Sequence, residues 1–149
     1  MSHLITSFNR FLDESRTLDE PLSTTIDDEE ELGTMPPNLA NVFTTKLQHD
    51  NPVLKIYYPI SRYDELAPVS VLYDVSQGAS VKDLMESFQN VYKAALAPDN
   101  IAAYLEADPL NFAFLNDEPN PTLLFVMSGL VFIEGLEPYE DGWILQLGS

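Results

Sequence analysis

At 149 residues, with 45% hydrophobic and 11% aromatic content, the chain has enough apolar material for one domain with a tail, more than a disordered segment would carry. A formal charge of −17 excludes nucleic acid and anionic membrane surfaces as direct partners, since both need Lys and Arg against phosphate, and it attracts basic proteins instead. The absence of cysteine removes disulfide and thiolate chemistry, and no apolar run reaches the ~18 residues of a membrane-spanning helix.

The first predicted element is a short amphipathic helix, from the helical spacing of Leu4, Ile5, Phe8, Phe11 and Leu12. Met1 to Asp13 lacks the pattern of a signal peptide, so an intracellular protein, cytoplasmic or nuclear, is expected. Asp19-Glu20-Pro21, Ser23-Thr24-Thr25, Asp27-Asp28-Glu29-Glu30-Glu31 and Pro36-Pro37 then predict an extended or disordered acidic arm over about 13–38, too poor in apolar surface to order itself. Leu39 to Leu47 forms one more short helix or leads into the domain. The expected division is an N-terminal arm over 1–50 and a folded α+β domain over 51–149.

Val53 to Tyr58 reads as a strand, with Leu54, Ile56 and Tyr58 on one face and Lys55 on the other. Val69, Val71, Tyr73 and Val75 alternate with Ser70, Leu72 and Asp74 in a second strand, close enough to pair as a hairpin. Gln77-Gly78-Ala79 breaks it, and Ser80-Val81-Lys82-Asp83 fits a capping box. Val81, Leu84, Met85, Phe88, Val91, Tyr92 and Ala95 then form the cleanest helical stripe in the chain. Lys82, Glu86, Gln89 and Lys93 are expected to face water, with Pro98 closing the helix. Ile101, Tyr104 and Leu105 suggest a short helix capped by Asp99 or Asn100, and Asp117 to Pro121 is turn chemistry. Leu123 to Met127 fits a strand or a helical turn equally. Leu130 to Glu134 reads as a strand, Pro138 to Gly142 as a turn, and Trp143, Leu145 and Leu147 alternate in a final strand.

This order of elements resembles the ubiquitin-like β-grasp fold over roughly 52–147. Its strongest local match is Val75-Ser76-Gln77-Gly78-Ala79-Ser80-Val81-Lys82-Asp83-Leu84, where a strand leaves through a short turn into a Ser-Val-x-Asp-Leu helix entry. The stretch between the helix and the last strands is long for that fold. The chain ends Leu147-Gly148-Ser149, not in the di-glycine that conjugation requires, so the resemblance implies a binding module and not a conjugated modifier. Phe132-Ile133-Glu134-Gly135-Leu136, with Leu147-Gly148-Ser149, is also similar to a group of proteins from large DNA viruses, which implies no chemistry.

The residues that carry chemistry in other proteins are sparse. His3 and His49 lie near no second His or ligand-spaced carboxylate, so neither a metal site nor a cofactor is expected, and G-x-S-x-G, P-loop and G-x-G-x-x-G motifs are absent. Glu134, Glu137, Glu140 and Asp141 form carboxylate pairs, but at a strand end and a turn, where solvated acids are ordinary. Asp27, Asp28, Glu29, Glu30 and Glu31 make either an electrostatic handle for a basic protein or a solubilising arm. Tyr57, Tyr58, Tyr63, Tyr73, Tyr139 and Trp143 fall in or near strands. If one sheet face is open, one tyrosine set lies on it and makes an interface; otherwise the rings complete the core. The resulting expectation is a non-enzymatic protein-binding module, with Tyr57, Tyr73 and the run Asp27 to Glu31 as its contact residues. The alternatives are an acidic DNA-mimic or histone-binding inhibitor, and a small hydrolase with acids from the last 40 or so residues gathered in a pocket.

Overall fold

The computed structural model describes residues 3–16, 37–60, 66–126 and 132–148. In chain order the elements are α1 (His3–Arg16), α2 (Pro37–Thr44), β1 (Val53–Tyr58), β2 (Val69–Asp74), α3 (Val81–Lys93), α4 (Pro98–Ala107), a 3₁₀ turn (Ala113–Asn116), α5 (Leu123–Val126), β3 (Phe132–Tyr139) and β4 (Gly142–Gly148). The chain is α+β, as expected. A mixed four-stranded sheet runs in the order β2-β1-β4-β3. β1 pairs antiparallel with β2 and parallel with β4, and β3 and β4 form an antiparallel hairpin.

The alternation in β1 decides which face is inside. Leu54, Ile56 and Tyr58 are buried, while Val53, Lys55 and Tyr57 are exposed or half-buried. Against the buried face lies α3, whose Val81, Leu84, Met85, Phe88 and Tyr92 are buried in the same core. Phe88 meets Tyr58 edge-on at 5.8 Å between ring centroids. Gln89 departs from the expected pattern. It is 2% exposed and belongs to the packed side of α3, whereas Ala95 lies exposed beyond the helix end. Pro98 does not close α3, which ends at Lys93. It opens α4 at the first helical turn, where its missing N–H has no intrahelical partner to lose, and α4 has no side-chain cap from Asp99 or Asn100.

The capping box at the start of α3 forms in both directions. The Asp83 amide donates to Ser80 Oγ at 3.1 Å, and the Ser80 amide donates to Asp83 Oδ2 at 2.9 Å. The Ser80 amide is the main reason the Asp83 carboxyl sits below its ordinary 3.8. Ser80→Ala should lower stability by about 1 kcal/mol in urea unfolding. Because the folded-state pKa of Asp83 is depressed, its contribution is present above the ordinary carboxylate pKa and fades as pH falls through the lowered one. The Asp83→Asn penalty should shrink accordingly in acid.

The expected boundary at residue 50 is not where the core divides. Leu4, Ile5, Phe8, Phe11 and Leu12 of α1 and Leu39 and Phe43 of α2 are buried in one cluster with the sheet and α3. Phe8 meets Phe88 at 5.4 Å, and Phe11 stacks on Phe43 at 5.0 Å. Leu47 and Ala79 exchange backbone hydrogen bonds at 2.8 and 3.0 Å, tying the segment after α2 to the turn before α3. The helical stripe of α1 is too apolar to remain in solvent, so it packs on the sheet and joins the domain. Of the expected arm over 13–38, residues 13–16 and 37–38 are helical, and 17–36 lie outside the described residues.

α1 also completes β3. At a register shift between Ile133 and Gly135, Asn9 Nδ2 donates to the Leu136 carbonyl at 3.0 Å and the Leu136 amide donates to Asn9 Oδ1 at 2.8 Å. A Cβ on Gly135 would stand 3.0 Å from Asn9 Oδ1, so the bulge glycine makes room for this bridge. β3 continues through Pro138 to Tyr139, beyond the expected strand end, and Glu140-Asp141 alone form the hairpin turn. Proline is tolerated there because β3 lies at the sheet edge. At Gly142 a Cβ would fall 2.4 Å from the Lys55 carbonyl oxygen of β1. Gly142→Ala should therefore cost about 1–3 kcal/mol in denaturant unfolding, by pushing the parallel pair β1–β4 apart.

The segment left open at Leu123 is helical over Leu123–Val126 and stands between two cores, with Leu123 buried in the main cluster and Val126 in a second one. Tyr104, Phe112, Leu115 and Val126 are buried together, with Ile60, Leu66, Leu96, Ile101 and Leu105 packed around them. The long connection between α3 and β3 thus carries its own small core. Its buried Tyr104 joins it to the end of β1, since Tyr104 Oη donates to the Ile60 carbonyl, while Tyr92 of the main core donates to the neighbouring Pro59 carbonyl at 2.8 Å.

Candidate functional site

The face of the sheet turned away from α3 is the best candidate for a binding surface. β1 presents Val53, Lys55 and Tyr57 there, and the register sets Asp74, Leu72 and Ser70 of β2 beside them. β4 contributes Ile144 next to Tyr57, and β3 adds Glu137 opposite Ile144 and Tyr139 opposite Gly142. Tyr57 and Tyr139 pack edge-to-face with centroids 4.8 Å apart. Tyr57 Oη donates to Asp141 Oδ1, Lys55 Nζ donates to Asp141 Oδ2 at 3.0 Å, and the same ammonium lies 5.1 Å from the Tyr57 ring centre.

Each partner in this cluster shifts the titration of the others. The hydrogen bond from Tyr57 and then that from Lys55 hold the Asp141 carboxyl below its ordinary range. The Asp141 bond is the main cause that raises both the Lys55 ammonium and the Tyr57 phenol. At neutral pH the cluster is therefore an ion pair with a protonated phenol on the shared carboxylate. Beside it Leu72 is 65% exposed and Val53 45%. An aromatic pair in which Tyr57 is held by its hydrogen bond to Asp141 and packs on Tyr139, next to exposed aliphatic side chains, loses little conformational entropy on contact with another protein.

Of the residues expected to make an interface, Tyr57 lies on this outer face and Tyr73 does not. Tyr73 pairs with Leu54 on the inner face, is half-buried, and packs against the main core. Its hydroxyl is hydrogen-bonded to that of Tyr58, which is wholly buried. The strand period of two puts positions 57 and 73 on opposite faces once the register is set, and the two runs taken separately do not set it. Tyr73→Phe should therefore show up in stability. It strands a buried phenol and should cost about 1–3 kcal/mol in thermal unfolding, with no loss at the outer face. Trp143 also sits on the inner side, opposite Ile56 and partly buried. Tyr63 and the run Asp27 to Glu31 lie outside the described residues.

One surface feature has no strong signal in the sequence. Leu110 is 90% exposed, Phe114 40% and Phe125 42%, and the Phe114 and Phe125 rings meet at 5.5 Å. A turn, the 3₁₀ turn and the four-residue α5 carry Leu110, Phe114 and Phe125, elements too short for a periodicity to mark a face. Nearby, a cleft of about 130 Å³ opens over Tyr104 and Leu123 between α3, α4 and the end of β1, and no carboxylate lines it. Of the acids considered for catalysis, Asp141 is engaged with Tyr57 and Lys55, and Glu137 and Glu140 are exposed. Burial lowers the His49 imidazole, and no group of His and acidic side chains among the described residues is placed to hold a metal ion. Among those residues no helix is long and apolar enough to cross a membrane.

Set against known proteins, the chain matches no family model, no curated protein and no solved structure.

Proposed function

We propose that this chain is a protein-binding module of β-grasp-like architecture that engages its partner through the outer face of the sheet. The observation that carries the reading is the juxtaposition of exposed Leu72 and Val53 with the Tyr57–Tyr139 pair on the face away from α3. The strand order β2-β1-β4-β3 with a parallel central pair, and a long helix between the second and third strands, supports the architectural part. The net charge favours a partner with a basic surface. Rigid aromatic side chains flanked by aliphatic ones are the usual anchors of such contacts.

Affinity capture from the source cells, with wild type beside Tyr57→Ala, tests this reading. A partner retained by wild type should bind Tyr57→Ala about 2 kcal/mol more weakly, roughly 30-fold. Equal retention by both proteins would remove the outer face from the account and leave the acidic surface as the binding element.

A further inference from the structure

The two edges of the sheet are treated differently. On β3 after the register shift, the residues that point away from β4 are Leu136, whose amide and carbonyl are both taken by Asn9, and Pro138, which has no N–H to offer. That edge is closed to another strand. On β2 the Val75 amide donates inward to the Pro52 carbonyl at 2.8 Å. With Asp74 opposite Val53 in the register, the alternation of an antiparallel ladder turns the N–H and C=O groups of Ser70, Leu72 and Asp74 outward. No described strand pairs with that edge, and it carries no bulge, no proline and no lysine between Val69 and Asp74.

We propose that this edge is a self-association surface, on which β2 of a second copy of the chain pairs antiparallel about a two-fold axis at Leu72. The side chains select that occupant and that register. Centred on Leu72, the pairing sets Leu72 against its own copy, which covers a leucine that is 65% exposed in the single chain. It sets Ser70 opposite Asp74 on both sides of the axis, a hydroxyl against a carboxylate. Asp74 Oδ1 already accepts from Ser76, through its amide at 3.0 Å and its hydroxyl at 2.6 Å, which leaves Oδ2 for the incoming serine. On the other face Val71 meets Tyr73. No like charges stand opposite one another, and every outward backbone group in Ser70, Leu72 and Asp74 gains a partner. The two sheets become one continuous sheet. Opposing this is the −17 charge on each copy, so the contact should strengthen as salt screens it. That is the reverse of what a basic partner would do. The surface is the strand edge; it shares Ser70, Leu72 and Asp74 with the margin of the outer face but does not rest on the proposed function.

Sedimentation equilibrium of the full chain, from about 10 μM to about 1 mM, tests the proposal. The expected result is a monomer–dimer equilibrium that tightens between about 0.05 M and about 0.5 M salt. Leu72→Pro removes an amide that serves no bond within the sheet, so it should keep the thermal midpoint close to wild type and abolish the dimer. Leu72→Lys is the second variant. It leaves the backbone intact, places two ammonium groups against each other, and should give the same loss. In hydrogen exchange the Ser70, Leu72 and Asp74 amides should gain protection with protein concentration. A monomer throughout the range would overturn the proposal and leave the edge to a different chain. So would a dimer unchanged by either variant, which would lie elsewhere on the molecule.

Discussion

Replacing Phe88 by alanine should cost about 3–5 kcal/mol and lower the thermal midpoint by roughly 6–20 °C. Phe88 is fully buried, lies in the middle of α3, and touches both Phe8 of α1 and Tyr58 of β1 edge-on. It is the ring at which α1, α3 and the sheet meet. Removing it leaves a cavity whose walls belong to separate elements, which limits how far they can collapse. The loss is a large share of the 5–15 kcal/mol that a domain of this kind has in total. Chemical denaturation with an unchanged m-value is the check. A midpoint within a degree or two of wild type would mean that α3 does not pack through this face.

Phe8→Ala should cost a similar amount, about 3–5 kcal/mol, although Phe8 lies far from the sheet in sequence. The ring is fully buried and its centroid is 5.4 Å from that of Phe88. Since the two residues share a contact, the Phe8→Ala/Phe88→Ala double variant should be less destabilised than the sum, with a coupling of about 0.5–3 kcal/mol. A near-neutral Phe8→Ala would make α1 a detachable element. Additive effects would mean that the two rings do not share a cavity.

What the sequence reveals follows the strength of its periodicity. The stripe from Val81 to Tyr92 and the alternation from Val53 to Tyr58 identify α3, β1 and their buried faces, because each encodes its own period. Ser80 and Asp83 announce their cap for the same local reason. The spacing of Leu4, Phe8 and Phe11 reveals a helix but not its destination, since nothing in the local pattern says that Asn9 bonds with Leu136 across 127 positions. The edge bulge at Gly135 and the closeness of Gly142 to Lys55 are likewise long-range contacts, visible only once the strands are paired.

The outer face was legible in its composition and not in its membership. Tyr57 and Tyr73 both read as strand tyrosines, and register alone separates them. Asp141, which binds both Lys55 and Tyr57, sits in a turn that reads as solvated, and only the parallel pairing of β1 with β4 brings it to them. In the cluster around Tyr104 and Phe112, the spacing of Ile101, Tyr104 and Leu105 marks a helix, but nothing local shows that Phe112, Leu115 and Val126 close over it.

The central claim, that the chain binds another protein through the outer face of its sheet, is tested most directly by a salt titration of the captured complex with wild type and Tyr57→Ala in parallel. Screening shortens the reach of exposed charges to roughly 8 Å at physiological ionic strength. The account predicts that wild-type affinity weakens only modestly as salt screens the attraction to a basic partner, and that Tyr57→Ala stays about 2 kcal/mol weaker throughout. Loss of nearly all binding between low and moderate salt, with Tyr57→Ala indistinguishable from wild type, would contradict it and make the acidic charge itself the active surface.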